Sequence, residues 1–254
     1  MAGAGKNGNL FMRAMLGVAL AGTLTFACAH DDSAVKRAFK LPPSADLHYK
    51  IQARHKGFSI SGQALTKWRV ADGKYTLDTV TRAMMFGTVL EDKSAGTIDS
   101  YGIAPDQFYE KRIRKDPWTA TFDRQRNRLS FSLSKQTYPL KGGEQDRNTA
   151  QWQLAAVARA APEKFTPGSQ WTFFVAGRRD AETWTFKVIK QETVRTGMGP
   201  VAAIHLSKLQ SPDGHDQTID LWLAPGHEWY PVRVRFADNE GERIEQILDK
   251  IVKK

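Results

Sequence analysis

Six histidines, a few isolated carboxylates and a single cysteine are the residues of this chain that could do chemistry, and their spacing limits what they can do. His30, His48, His55, His205, His215 and His227 include no pair four apart on a helical face and no H-E-x-x-H, so no metal site is expected. His48 and His205 fall at strand positions, where a hydrogen-bonded imidazole is commoner than a ligand. Gly197-Met198-Gly199-Pro200-Val201-Ala202 fits G-x-G-x-x-A on paper. A dinucleotide fingerprint needs a helix after it, however, and Pro200 with its β-branched neighbour predicts a turn into a strand. Gly57-Phe58-Ser59-Ile60-Ser61 fails G-x-S-x-G at its last position. No triad can be assembled, and no cofactor is expected. For acid/base work the carboxylates to consider are Asp146, Asp216 and Glu192. Asp146 stands at the start of an expected helix, where an aspartate accepts backbone N–H groups and complements the helix dipole, so a cap is the expectation and a catalyst the alternative. Asp216 and Asp220 flank a strand start and are expected to set a turn.

The basic residues form runs: Lys111-Arg112-Ile113-Arg114-Lys115, then Arg124 with Arg126 and Arg128, then Arg178-Arg179. With 37 basic against 27 acidic residues the net charge is +10, which suits anionic partners. On a strand, Lys111 and Ile113 share one face and Arg112 and Arg114 the other, so one reading is a solvated basic face that keeps the chain soluble and protects a sheet edge. Seven tryptophans, Trp68, Trp118, Trp152, Trp171, Trp184, Trp222 and Trp229, suit the core of a curved sheet, with a minority free to line a cavity or stack on a sugar.

The elements that must position these residues begin after an export signal. Lys6 and Arg13 precede an apolar run at 14–27, and no acidic residue occurs before Asp31. The run is too short for a comfortable membrane span. Ala27-Cys28-Ala29 fits an A-x-A site, which predicts a signal peptide at 1–29, cleavage before His30 and a periplasmic protein without cysteine. The alternative is an outer-membrane lipoprotein through Cys28, although Thr25 and Phe26 fit a lipobox poorly. Either way nucleic acid is not an expected partner, and anionic glycans or lipid headgroups are. Residues 30–46 read as an extended lead-in ending near Pro42-Pro43, and 47–254 as one β domain. Alternation of period two recurs through Leu47-Tyr49-Ile51, Phe58 to Val70 and, after the turn Asp72-Gly73, Tyr75-Leu77-Thr79. It returns at 97–100, 108–113, 118–122, 129–133, 171–175, 184–188, 201–209, 219–223 and 230–236. One stretch, 146–161, has helical spacing and is stopped by Pro162. The segment 243–252 is expected to be a strand after a turn at 239–241. The fold class is all-β: a curved antiparallel sheet or barrel-like fold of about a dozen strands with one short helix.

Four stretches resemble the domain-of-unknown-function 3108 (DUF3108) family of exported Gram-negative proteins: Tyr101-Gly102-Ile103-Ala104-Pro105 with Phe108; Gln145-Asp146 before a helix carrying Trp152 and Leu154; Leu221-Trp222-Leu223-Ala224-Pro225; and Tyr230-Pro231-Val232-Arg233. Asn148-Thr149 stands where the family more often shows Leu-Ser. The resemblance implies a barrel-like β fold of the cell envelope and no established reaction, so no catalytic residue is carried over. The binding candidates are Gln145, Asp146, Trp152, Trp222 and Arg112. The expected function is noncatalytic binding of a hydrophobic or amphipathic envelope ligand or partner, near the membrane without crossing it. The alternatives are a glycan-active enzyme with a carboxylate pair, or a purely structural envelope module.

Overall fold

The computed structural model describes residues 35–55, 58–210, 217–237 and 243–254, all within the unit Ser33–Lys254. The expected signal segment, its Cys28 alternative, His30, Gly57, His215, Asp216 and the turn at 239–241 lie outside the described residues.

After an extended lead-in come β1 (Ala45–His55), β2 (Phe58–Ala71), β3 (Lys74–Ala83), β4 (Gly87–Asp99), β5 (Gly102–Arg112), β6 (Trp118–Asp123), β7 (Arg128–Phe131), β8 (Ser134–Pro139) and β9 (Gln145–Asp146). Then follow α1 (Thr149–Ala160), β10 (Gln170–Ala176), β11 (Ala181–Thr196), β12 (Gly199–Lys208), β13 (Thr218–Leu223), β14 (Pro231–Ala237) and β15 (Arg243–Lys253). All fifteen strands form one sheet in the order β8-β7-β6-β5-β4-β3-β2-β1-β15-β14-β13-β12-β11-β10-β9. Among the described residues the fold is thus all-β with one α-helix and more strands than the dozen expected. β1 begins at Ala45, two residues ahead of expectation.

Sequence chemistry explains the meander. Asp72 and Gly73 both take positive φ, 49° and 70°, the left-handed pair that a tight hairpin requires. The two chain halves join where β1 pairs antiparallel with β15, with a register shift at His48/Tyr49. Further shifts interrupt the pairings of β3 with β4, β4 with β5, β11 with β12 and β13 with β14. Each extra residue bends its strand and adds twist, which is how a sheet this wide curls. It does not close. The edge strand β8 is polar and mostly exposed, which discourages pairing with another chain, and the other edge, β9, is two residues long.

The helix lies in the crossover from β9 to β10, which pair in parallel. It packs on β5, β9, β10 and β14, and Leu154, Val157 and Ala158 meet Phe186, Leu221 and Val234 in one buried cluster. Around Trp152 a second cluster holds Trp68, Tyr75 and Tyr230. Trp152 stacks on Trp68 with centroids 4.7 Å apart and meets Tyr230 at 5.9 Å edge-on. The lead-in straps this assembly: Trp68 Nε1 donates to Pro42 O at 2.9 Å, Tyr230 Oη to Pro43 O at 2.7 Å, and Arg159 to Leu41 O at 2.9 Å.

Candidate functional site

β6 pairs with β5 only over Gln107–Glu110, so the first residues of β5 have no strand neighbour on that side. Buried backbone groups must find partners, and side chains supply them. Gln153 Oε1 accepts the Ile103 N–H at 2.8 Å while its Nε2 donates to Tyr101 O at 2.7 Å. Gln145 Nε2 donates to Ile103 O at 2.7 Å, and Arg124 donates to Pro105 O at 3.0 Å. Gly102 makes this latch possible: its φ is +113°, and a β-carbon there would run into the Gln153 amide. Gln145 Oε1 is buried without a partner.

Asp146 follows directly. Its Oδ1 accepts the N–H groups of Asn148 and Thr149, both at 2.9 Å, and Thr149 Oγ1 accepts the Asp146 N–H at 3.0 Å. This reciprocal pair is a capping box displaced slightly ahead of the regular helix, whose flanking Asn148 makes no side-chain cap bond. The helix therefore starts at Thr149 rather than at 146. The second oxygen faces the sheet instead, where Ser94 Oγ donates to Asp146 Oδ2 at 2.5 Å and lies 2.8 Å from Tyr75 Oη. Burial pushes the Asp146 carboxyl up, partly offset by Ser94 and the two backbone donors. Tyr75 is pushed well up by burial and by the Asp146 charge.

Beside this network, Asp92 on β4 stands opposite Glu110 on β5, and the two are 6% and 4% exposed. Glu110 Oε1 accepts from Arg112 Nε at 2.6 Å and from Trp118 Nε1 at 3.0 Å. Asp92 Oδ1 has no hydrogen-bond partner. Burial and the facing Glu110 push Asp92 up to about 7, opposed by Asn148 and Arg147. Burial also lowers the Arg147 guanidinium. Asp92 therefore keeps its proton up to near neutral pH.

Trp222 belongs to the same buried apolar cluster as Trp152, with different immediate partners. Leu221 and Leu223 face the helix, so by alternation Trp222 and Asp220 face away from it. Trp222 is hidden by polar groups: His205 is stacked at 4.3 Å with 5° between planes, and Arg233 and Arg235 lie over the ring at 4.5 and 5.4 Å. Its Nε1 donates to Glu192 at 2.7 Å. His205 Nε2 lies 2.9 Å from Asp220 Oδ1, and Arg235 donates to Asp220 Oδ2. Burial alone would raise Asp220, but these two partners hold it at about 2. Glu192 is lowered by the Trp222 and Lys190 hydrogen bonds.

Of the five binding candidates, Gln145, Asp146 and Trp152 thus meet around the helix start, Arg112 reaches the neighbouring Glu110, and Trp222 points to the other face of its strand. The alternation of β5 puts Arg112 on the same face as Phe108 and Glu110. Asp92, Ser94, Glu110 and Gln153 are missing from the sequence candidates. Glu110 was detectable as a carboxylate two residues from Phe108 in a period-two run, whereas Asp92 and Ser94 carry no apolar alternation to mark them. On the outer face, a hollow of about 520 Å³ is lined by Lys67, Asp78 and Lys93 with Lys50 and Asp249. Its charges alternate, with Lys50 Nζ 2.7 Å from Asp249, as expected of a solvated ladder. Among the described residues no group of three metal-ligating side chains occurs, and no helix is long and apolar enough to cross a membrane.

Comparison with known proteins supports the fold. A β-barrel-like protein of domain of unknown function DUF1849 from Brucella abortus is similar at a TM-score of 0.55 and 17% identity, over 85% of this chain and 100% of that one. A protein from Bacteroides fragilis described as exported, with a YmcC-like fold, aligns at 0.39 and 10% identity over 86% and 100% of the chains. A domain from Vibrio parahaemolyticus described as an outer membrane lipoprotein-sorting protein aligns at 0.33 and 9%, over 84% and 86%. No curated protein matches the chain in sequence. The model of the family described as "Protein of unknown function (DUF3108)" matches residues 45–248, and the chain belongs to that family.

Proposed function

For this member of the DUF3108 family we propose noncatalytic work in the cell envelope: the curved sheet is a rigid carrier that presents a binding surface to an amphipathic ligand or partner. The observation that carries this reading is a set of apolar side chains left in solvent at neighbouring hairpin tips. Phe58, Met84, Met85 and Phe86 are 74%, 85%, 88% and 54% exposed. Single exposed apolar residues need no explanation, but clustered ones mark an interaction site. The basic, apolar and small-residue layout of residues 1–29 supports export to the periplasm, with the lipoprotein route through Cys28 as the alternative.

The residues around the helix start support a structural role. Gln153 and Asp146 use their polar atoms on backbone and on Ser94, Gln145 donates its amide to Ile103 O, and Trp152 is packed between rings. A second reading, hydrolysis by a carboxylate pair, is favoured by one observation, the raised Asp92 facing Glu110, since a general acid works best with a pKa near the operating pH.

Native mass spectrometry of the exported protein tests the first reading. A co-purifying amphiphile, or uptake of a single-chain lipid on titration, is the expected result. Only the bare mass, together with glycan cleavage that Glu110→Gln abolishes, would favour the second. Intact mass reports the processing as well: a start at His30 fits the periplasmic route, and a diacylated Cys28 the lipoprotein route.

A further inference from the structure

We propose that the hairpin tips at one end of the sheet form a docking surface for an anionic lipid bilayer. This deepens the reading above and rests on its amphipathic surface, but it names the occupant.

The register places the pieces together. Met84 N donates to Ser61 O at 3.2 Å and Ala83 pairs with Gly87, so the β3–β4 tip lies alongside the start of β2, three residues from Phe58. Ile113 N donates to Val89 O at 2.9 Å, which sets the end of β5 beside the start of β4. Arg54 pairs with Arg243, bringing the start of β15 to the same end. Within roughly 10 Å along the strand direction, at about 3.4 Å per residue, three adjacent tips therefore present Phe58, Met84, Met85, Phe86 and the 41%-exposed Ile113.

Charge decides the occupant. Among the described residues, exposed Arg54, Arg82, Arg112, Arg114, Lys115 and Arg243 surround these side chains, against the exposed Asp116 and the half-buried Glu91; outside the described residues the sequence carries Asp238, Glu240 and Glu242 just before Arg243. Arg112 and Arg243 also contact Glu110 and Glu245. An apolar tip ringed by guanidinium and ammonium groups matches the two layers of an anionic membrane surface: the side chains enter the acyl boundary and the cations lie among phosphates. A protein partner with an apolar patch would not call for cations on β1, β3, β5 and β15 together. The opposite end has no such cluster among the described residues; Met198 there is 37% exposed between turn glycines.

The test reads one position, because the apolar run at 14–27 could itself adhere to lipid. In a full-length Cys28→Ser chain, Met85→Cys and, separately, Met198→Cys are labelled with an environment-sensitive nitrobenzoxadiazole dye. Vesicles of phosphatidylethanolamine with about a third phosphatidylglycerol should shift the Met85→Cys label to the blue and brighten it several-fold. Phosphatidylcholine vesicles should not, salt at about 0.5 M, well above physiological ionic strength, should weaken the response, and the Met198→Cys label should stay unchanged. Adding Met84→Ser and Phe86→Ser should weaken vesicle binding about ten-fold. A label that stays at its aqueous emission on anionic vesicles overturns the proposal. So does a shift produced by raising the protein concentration without lipid, or by envelope protein extract alone. A label that ignores vesicles but responds to a monomeric single-chain lipid sinks the bilayer surface while leaving the amphiphile-binding reading intact; no response to either defeats both.

Discussion

Trp152 and Trp222 are equally hidden, 1% and 2% exposed, and they are hidden by opposite means. Trp152 is held by rings, Trp68 on its face and Tyr230 at its edge, inside the curl of the sheet. Trp222 points to the other face of its strand; it shares the apolar cluster with Val194, Val201 and Ala203 and is capped by His205, Arg233, Arg235 and Glu192. Low exposure therefore has two energetic meanings here. Removing the first ring leaves a void in a close-packed interior, whereas removing the second leaves polar groups that can turn to water.

The largest expected effect breaks the comparison if it fails. Trp152→Ala should cost about 3–5 kcal/mol by urea denaturation, the range for large aromatic deletions from a core. Trp222→Ala should cost about 1–2 kcal/mol, as stacking and cation–π contacts at a solvent boundary are worth that order. Equal losses would show that the polar shell is as rigid as the core.

The next effect concerns the buried carboxyl pair. Asp92 has its folded pKa raised to about 7 from an ordinary 3.8. Between those values the folded chain holds a proton that the unfolded chain has lost, so this group's contribution is full at low pH and disappears as pH rises through 7. The stability of the wild type should fall between about pH 4 and pH 7 and level off above that, with Asp92 accounting for a decline on the order of 2–4 kcal/mol. Asp92→Asn should reduce that slope and be the more stable of the two at about pH 8.5 in thermal melts. Asp146, raised in the same direction, leaves the variant with a residual slope.

At Asp146 the comparison sharpens to single oxygens. Asp146→Ala loses the capping box and strands Ser94, for about 2–3 kcal/mol. Asn keeps the cap but offers an amide donor or a single acceptor to the Tyr75–Ser94 chain, so Asp146→Asn should still cost about 1 kcal/mol. A cap alone would leave Asn tolerated, since Asn also caps well; thermal melts of both variants separate the two contributions. The smallest effect belongs to the outer shell: Arg233→Ala should lower stability by less than about 1 kcal/mol, and high salt should reduce the difference.

What could be read in the sequence follows the same division. Strands with one apolar and one polar face, such as β1, β2 and β14, declared themselves by alternation, and Pro162 marked the helix end. β4 was visible only at 97–100, because its inward positions Asp92 and Ser94 are polar and erase the period-two signal. β8 and β9 were invisible for a related reason: a polar edge strand and a two-residue one have no apolar face to display. The latch was half legible. Gln145, Asp146 and Trp152 stood out as a pattern, but Ser94 lies 52 residues from Asp146 and Ile103 lies 42 from Gln145. Gln153 likewise reaches back 50 residues to Ile103, and only the curl of the sheet brings these groups together. Trp222 and Arg112 looked like members of the same site, and strand alternation with sheet topology gives Trp222 different immediate partners.

The central claim is that Gln145 and Gln153 fasten the helix start to the sheet. The Ile103 amide tests it directly, since its N–H is bonded by the Gln153 side chain and not by a strand. Residue-resolved hydrogen exchange should show Ile103 protected like Leu47 in the core of β1, and Gln153→Ala should release Ile103 while Leu47 stays protected. Rapid exchange at Ile103 in the wild type, or unchanged protection in the variant, would contradict the account.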